Sequence, residues 1–169
     1  MTDIPIKIFV IYGNSIHDFG TLTKIIKSLS DQRYQVTVQH GFSNPGSVPA
    51  NFHVFDFCEK DKFINLISVS DLIITHAGVG SISAILKQGK MPFVMVRDPK
   101  KNEHVNDHQR EFVDFYSADG IFIEVKLITE IIDYLNCIQS IPLPTRKYIT
   151  NLESIRSDLF SYIDKIFHD

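Results

Sequence analysis

The chain of 169 residues has no tryptophan, only two cysteines, and no apolar run long and clean enough to cross a membrane. Cys58 and Cys137 lie in strongly apolar segments without CxxC spacing, so they read as reduced core thiols of a reducing compartment. The longest apolar stretch, residues 66–86, contains Asp71, His76, two glycines and several serines, which makes a poor span. Lys7 interrupts the first apolar run and no small-residue cleavage site follows, so no signal peptide is expected. These absences point to a cytoplasmic protein that meets a membrane only peripherally or through a partner.

A large excess of one charge is missing too. The 17 Lys and Arg stand against 20 Asp and Glu, a net of −3, which gives no nucleic-acid footprint. The balance is uneven: residues 1–101 carry 11 basic and 8 acidic side chains, residues 102–169 carry 6 and 12. Lys87, Lys90, Arg97, Lys100 and Lys101 are met only by Asp98 between positions 87 and 101. Such an excess attracts a small anion or simply forms a solvated face, and on charge alone the solvated face is preferred. Low-complexity stretches and internal repeats are absent. With 44% apolar and 22% charged residues, disorder, collagen and coiled coil are excluded. The length suits one domain, which buries roughly 70% of its unfolded surface without metal or disulfide staples.

What is present alternates. Residues 7–12 (KIFVIY), 34–39 (YQVTVQ), 53–57 (HVFDF), 71–75 (DLIIT), 92–96 (PFVMV) and 121–125 read as strands. Residues 18–29, 63–69, 81–88, 104–116 and 127–138 have helical spacing, the third of these closed by Gly89. Strand and helix alternate with one strand–strand step. That order predicts an α/β fold, a Rossmann-like open parallel sheet with helices on both faces. Residues 1–138 form the expected domain. Residues 139–169 hold a two-proline linker (SIPLPT) and then an apolar stripe at Leu152, Ile155, Leu159, Ile163 and Ile166. The stripe suits a helix packed on its own sheet or docked on a second polypeptide.

The informative stretch is 71–109. DLIIT runs into His76, Ala77, Gly78, Val79, Gly80 and Ser81 and then a helix. A strand ending in a glycine turn that opens a helix holds phosphate: the glycines let backbone approach, and the unpaired amides and dipole of the first turn favour negative charge. The dinucleotide fingerprint does not apply, because its third glycine falls at Ser83, and no GK[ST] follows to make a P-loop. The second element, NEHVNDHQ at 102–109, follows a strand and so lies at the same ligand edge. Asn106, Asp107 and Gln109 can exchange hydrogen bonds with sugar hydroxyls. His104 and His108 are four apart, but HEXXH and a third ligand cluster are lacking, so zinc is not expected.

ITHAGVGS, GKMPFVMV and NEHVNDHQ together resemble the C-terminal, donor-binding half of GT-B glycosyltransferases. The resemblance is greatest to the small subunits of split enzymes: the PssE/EpsE-type capsule and exopolysaccharide subunits, and the soluble subunit of the dolichol-linked UDP-GlcNAc transferase. It implies a UDP-sugar donor, with His76, Gly78, Gly80 and Ser81 at the diphosphate. Asn106, Asp107, His108 and Gln109 would face the donor sugar and adjoining phosphate. Gly13, Asn14 and Ser15 would close the phosphate side, and backbone near Phe57 and Cys58 would meet uracil. It also implies a membrane-associated acceptor-binding partner, a polyprenyl-diphosphate-linked saccharide as acceptor, and recruitment of this chain to the inner face of the membrane. No metal or other cofactor is implied, and no DxD motif is present. Residues 81–84 (SISA) lack the glutamate that many such domains use on ribose, which leaves that contact unassigned. Glu103 and His104 are the candidates for a general base in this chain, against a helix-capping or sugar-positioning role. A nucleotide-sugar-binding module without catalysis is the alternative.

Overall fold

A computed structural model describes residues 5–137. The proline linker and the 152–166 stripe lie outside the described residues. Six strands, β1 (Ile6–Ile11), β2 (Tyr34–Gln39), β3 (His53–Phe55), β4 (Leu72–His76), β5 (Pro92–Met95) and β6 (Ile123–Glu124), form one sheet in the order β3-β2-β1-β4-β5-β6. Every pairing is parallel, as the alternating sequence predicts. Five helices connect or follow them: α1 (Gly20–Lys27), α2 (Lys60–Val69), α3 (Val79–Lys87), α4 (His108–Tyr116) and α5 (Ile128–Cys137).

Successive strand residues face opposite layers. On one side Ile8, Val10, Leu72, Ile74 and Phe93 pack under Leu22, Ile25 and Ile26 of α1 and Ile131 and Leu135 of α5. On the other, Phe9, Ile11 and Ile73 meet Ile67 of α2 and Ile85 of α3. Val94 joins Ile82 and Leu86 of α3 and Phe112, Val113 and Tyr116 of α4 in a third cluster. Burial on both faces explains why the central strands read as near-continuous apolar runs.

The chain reverses its winding between β1 and β4, which are adjacent although two strands separate them in sequence. In open α/β sheets the crevice beyond the carboxyl ends of such a pair is where ligands bind. β1 feeds Gly13 into that crevice and β4 feeds Gly78.

Helix limits differ from the sequence reading at several ends, α1 being shorter at both (Gly20–Lys27 against 18–29), and three starts bear on the site. α2 starts at Lys60, three residues before the apolar periodicity, because its first turn is polar. α3 starts at Val79, so Gly80 lies inside the helix and Gly78 is its cap. α4 starts only at His108, not at 104, because Asn102 takes a left-handed φ of 58° and residues 103–107 form a loop. At the other end of α3, Gly89 at φ +67° bonds Leu86 O at 2.9 Å, as its role of stop signal requires.

Ile74 is fully buried at the centre of β4. Ile74→Ala should cost about 2–5 kcal/mol of unfolding free energy, read as a lower urea midpoint at unchanged slope.

Candidate functional site

β1 ends in Tyr12 and Gly13. Gly13 has φ +80°, and a Cβ built there would collide with the His76 ring. A Cβ on Gly78 would collide with the same ring, and one on Gly41, at φ +59°, with the Gly13 carbonyl. Three loops therefore converge at a spacing only glycine permits, with the imidazole wedged between Gly13 and Gly78. Gly80 is different: a Cβ there meets nothing within 4 Å. Open space lies beside it at the first turn of α3.

That space is a cleft of about 350 Å³ lined by Ile11, Gly13, Asn14, Gln39, Phe57, Cys58, Phe63, Gly80 and Ser81. It joins the first loop to the start of α3 and to the segment after β3, three pieces that the sequence reading assigned to one site. Among the described residues no charged side chain lines it. Any anion there depends on helix-terminal amides and the dipole of α3, each such interaction being worth about 0.3–1 kcal/mol at an exposed site. At the other end, Phe57 lies edge-on to Phe42 with centroids 4.9 Å apart, and both rings are exposed. The cleft thus offers apolar side chains, Phe57 and Phe63, at one end and the start of α3 at the other.

His76 ends β4 at the bottom of this arrangement. Burial, reinforced by the positive charge of Arg97, pushes its pKa down to about 4 from 6.5, although a hydrogen bond to the Ile11 backbone works the other way. The ring is neutral at pH 7.

The second predicted element behaves differently. Gln109 is buried, and its Oε1 accepts the Arg97 N–H at 3.2 Å. His108 is exposed and pairs with Glu111 at 3.1 Å. Asn106 Oδ1 accepts the His108 amide at 3.3 Å. Asp107 faces a separate cleft of about 590 Å³ together with Asp98, Lys100, Lys101, Arg110 and Glu124. Ser15 Oγ accepts the His17 amide at 3.1 Å, a local turn bond. The 350 Å³ cleft therefore gathers Gly13, Asn14, Gly80 and Ser81, while Asn106, Asp107, His108 and Gln109 stand outside its lining.

Glu103 is tied into the loop framework by two amides, which suits the capping role set against a base in the sequence reading. It is buried, Oε1 accepts the Thr21 amide at 2.7 Å and Oε2 the Asp98 amide at 3.1 Å. The first bond satisfies an unpaired donor at the start of α1. His104 remains partly buried beside it, its pKa lowered mainly by burial, with Nδ1 against the Asn106 backbone. Among the described residues no group of three or more His, Cys, Asp or Glu side chains is arranged to hold a metal ion.

Arg97 was counted with the solvated basic excess, and the structure corrects this. It is 1% exposed. Nη1 donates to His17 O at 2.8 Å and Glu103 O at 3.0 Å, and Nη2 to Tyr12 O at 2.9 Å and Ser43 Oγ at 3.1 Å. The guanidinium lies 4.4 Å from the Phe19 ring centroid. Burial lowers its pKa to about 10, the charges of Glu103, Tyr12 and Asp18 opposing the shift, so it stays protonated at pH 7. The signal was its position directly after an apolar strand, at the ligand edge.

A parallel sheet wound from two halves, with a glycine turn opening a helix beside the switch point, is the architecture of a GT-B C-terminal domain. Residues 14–156 match the glycosyltransferase family 28 C-terminal domain, and the chain belongs to that family. Three solved structures share the fold. The glycotransferase of kitacinnamycin aligns over 95% of this chain and 40% of its own at TM-score 0.59 and 16% identity. MurG of Acinetobacter baumannii aligns over 90% and 45% at 0.54 and 19%. ALG13 aligns over 88% and 94% at 0.51 and 19%. The chain thus spans less than half of the two larger proteins and nearly all of ALG13. No curated protein matches the chain.

Two outcomes are expected. Gly78→Ala, which drives a methyl into the His76 ring, should destabilise by about 1–3 kcal/mol, whereas Gly80→Ala should be neutral or stabilise by up to about 1 kcal/mol in thermal unfolding. NMR titration should show the His76 ring neutral down to a midpoint near pH 4. Because the unfolded ring titrates near 6.5, the ring's contribution to stability is complete above that pH and is lost as pH falls toward 4.

Proposed function

We propose that the chain is the donor-binding, catalytic subunit of a two-component inverting glycosyltransferase of the PssE/EpsE type. It transfers a sugar from a UDP-sugar to a lipid-linked saccharide in surface-polysaccharide synthesis. A membrane-associated partner supplies the acceptor-binding half and brings the subunit to the cytoplasmic face. The observation that carries this reading is the cleft that joins Gly13 and Asn14 to Gly80 and Ser81, with Phe57 and Cys58 at its far side. A diphosphate suits the helix-start end and uracil the apolar end. Membership of family 28 supports sugar transfer, and the likeness in extent to ALG13 suits a one-domain subunit.

In the proposed reaction an acceptor hydroxyl attacks the anomeric carbon opposite the leaving group. The bond from that carbon to the diphosphate oxygen breaks, and its electron pair stays on UDP. Negative charge on the diphosphate grows in the transition state, so amides and dipole at the start of α3 stabilise it more than the ground state. Neutral His76 adds no charge of its own there. No metal enters this scheme. The acceptor proton goes to a general base. Glu103 has both oxygens occupied by amides, which leaves the base to the partner half, with His104 as the candidate in this chain.

Asn106, Asp107, His108 and Gln109 are proposed to act at the sugar end. Asn106, Asp107 and His108 belong to the loop and first turn of α4, and Gln109 sets their position through its bond to the Arg97 amide.

Calorimetric titration of the purified chain, alone and with its partner, tests this reading. UDP should bind at least about tenfold tighter than ADP. Gly80→Asp should abolish binding while the protein stays folded, since the space above Gly80 accepts a side chain but its charge opposes the diphosphate. Equal affinity for ADP and UDP, or unaltered binding by Gly80→Asp, would overturn it.

A further inference from the structure

The Arg97 side chain has no part in the scheme above, yet it holds three loops of the ligand edge together. Its guanidinium bonds the carbonyls of Tyr12 and His17 in the loop after β1, the Ser43 hydroxyl after β2, and the Glu103 carbonyl after β5. Ser43 Oγ in turn donates to His17 O at 2.8 Å and to Ser15 O at 3.2 Å, so loop 12–18 is gripped by the pair. In a trans peptide the carbonyl and the following N–H point in opposite directions. A Tyr12 carbonyl drawn in toward Arg97 therefore turns the Gly13 N–H away from it. Gly13 lines the 350 Å³ cleft, and the wedged His76 ring prevents any side chain from taking its place.

We propose that Arg97 is a positioning residue: through Tyr12 O and Ser43 it sets the peptide plane that presents the Gly13 N–H to a phosphate in the cleft. The buried positive charge acts through the loop and does not touch the anion. The ligand assignment rests on the nucleotide reading above; the loop geometry does not. Among the described residues the cleft lining carries no charged side chain, and the Arg97 charge lies beneath it.

The test uses the full chain, nitrogen-15 labelled, as wild type, Ser43→Ala, Arg97→Lys and Arg97→Met. Amide spectra without ligand report the loop, and titration with UDP and with inorganic pyrophosphate reports the site. Ser43→Ala removes one anchor and should shift the amides of Gly13, Ser15 and His17 and weaken both ligands several-fold in a protein that stays folded, with a lowered melting temperature. Arg97→Lys keeps the charge but offers one nitrogen in place of a fork, so affinity should fall by roughly tenfold or more without rescue. Wild-type Gly13 shifts in Ser43→Ala and in a folded Arg97→Lys would overturn the proposal, as would full affinity in Arg97→Lys. Should both Arg97 variants fail to fold, Ser43→Ala decides by the same readouts. A wild type that binds pyrophosphate but not UDP refutes the nucleotide reading and leaves the positioning role intact; binding of neither refutes both the nucleotide reading and the phosphate part of the proposal.

Discussion

A guanidinium at 1% exposure is the constraint around which the ligand edge is built. Removing such a charge from water costs several kcal/mol unless acceptors surround it. Here the acceptors are backbone carbonyls from two loops and a hydroxyl from a third, with the face of Phe19 below. Loops otherwise carry the least ordered backbone of a domain. By drawing these loops to one buried cation, the fold orders them without a metal or a disulfide. Glu103 completes the arrangement, close enough to stabilise the charge and bonded to the amides of Thr21 and Asp98.

The glycines then make sense as consequences of that convergence. The loops after β1, β2 and β4 approach so closely that Gly13, Gly41 and Gly78 have no room for a Cβ. Gly80, one residue into α3, is open on the side where a ligand would lie. Two glycines two residues apart in one motif therefore differ: Gly78 admits the His76 ring, and Gly80 borders open space. His76 is kept neutral by burial and by the neighbouring Arg97 charge. The cation lies beneath the cleft rather than among the residues that line it.

The alternation of apolar strands with amphipathic helices was enough to read the architecture from the sequence, because burial on both faces forces near-continuous apolar runs in strands such as 71–75 and 92–96. The glycine turn at 78–81 was legible for the same kind of reason: a local backbone requirement leaves a local sequence mark. The end of α4 at Tyr116 was legible but its start was not, since the sequence reads as helix from 104 while the left-handed Asn102 and the bonds of Glu103 belong to a loop that runs to Asp107.

The sequence by itself determined the fold class and the sheet's parallel character, which follow from periodicity, while its short motifs carried the resemblance to the donor-binding half of GT-B enzymes. Tertiary structure alone decided which of those motifs share a cleft. It brought Phe57 and Cys58, more than twenty residues before Gly80, to the same cavity, and left Asp107 beside another. It also decided that Arg97 is buried where its lysine neighbours at 100 and 101 are exposed. The reason is physical: a charged residue after a strand reads as solvated until carbonyls from Tyr12, His17 and Glu103, as many as 85 residues away, are folded around it.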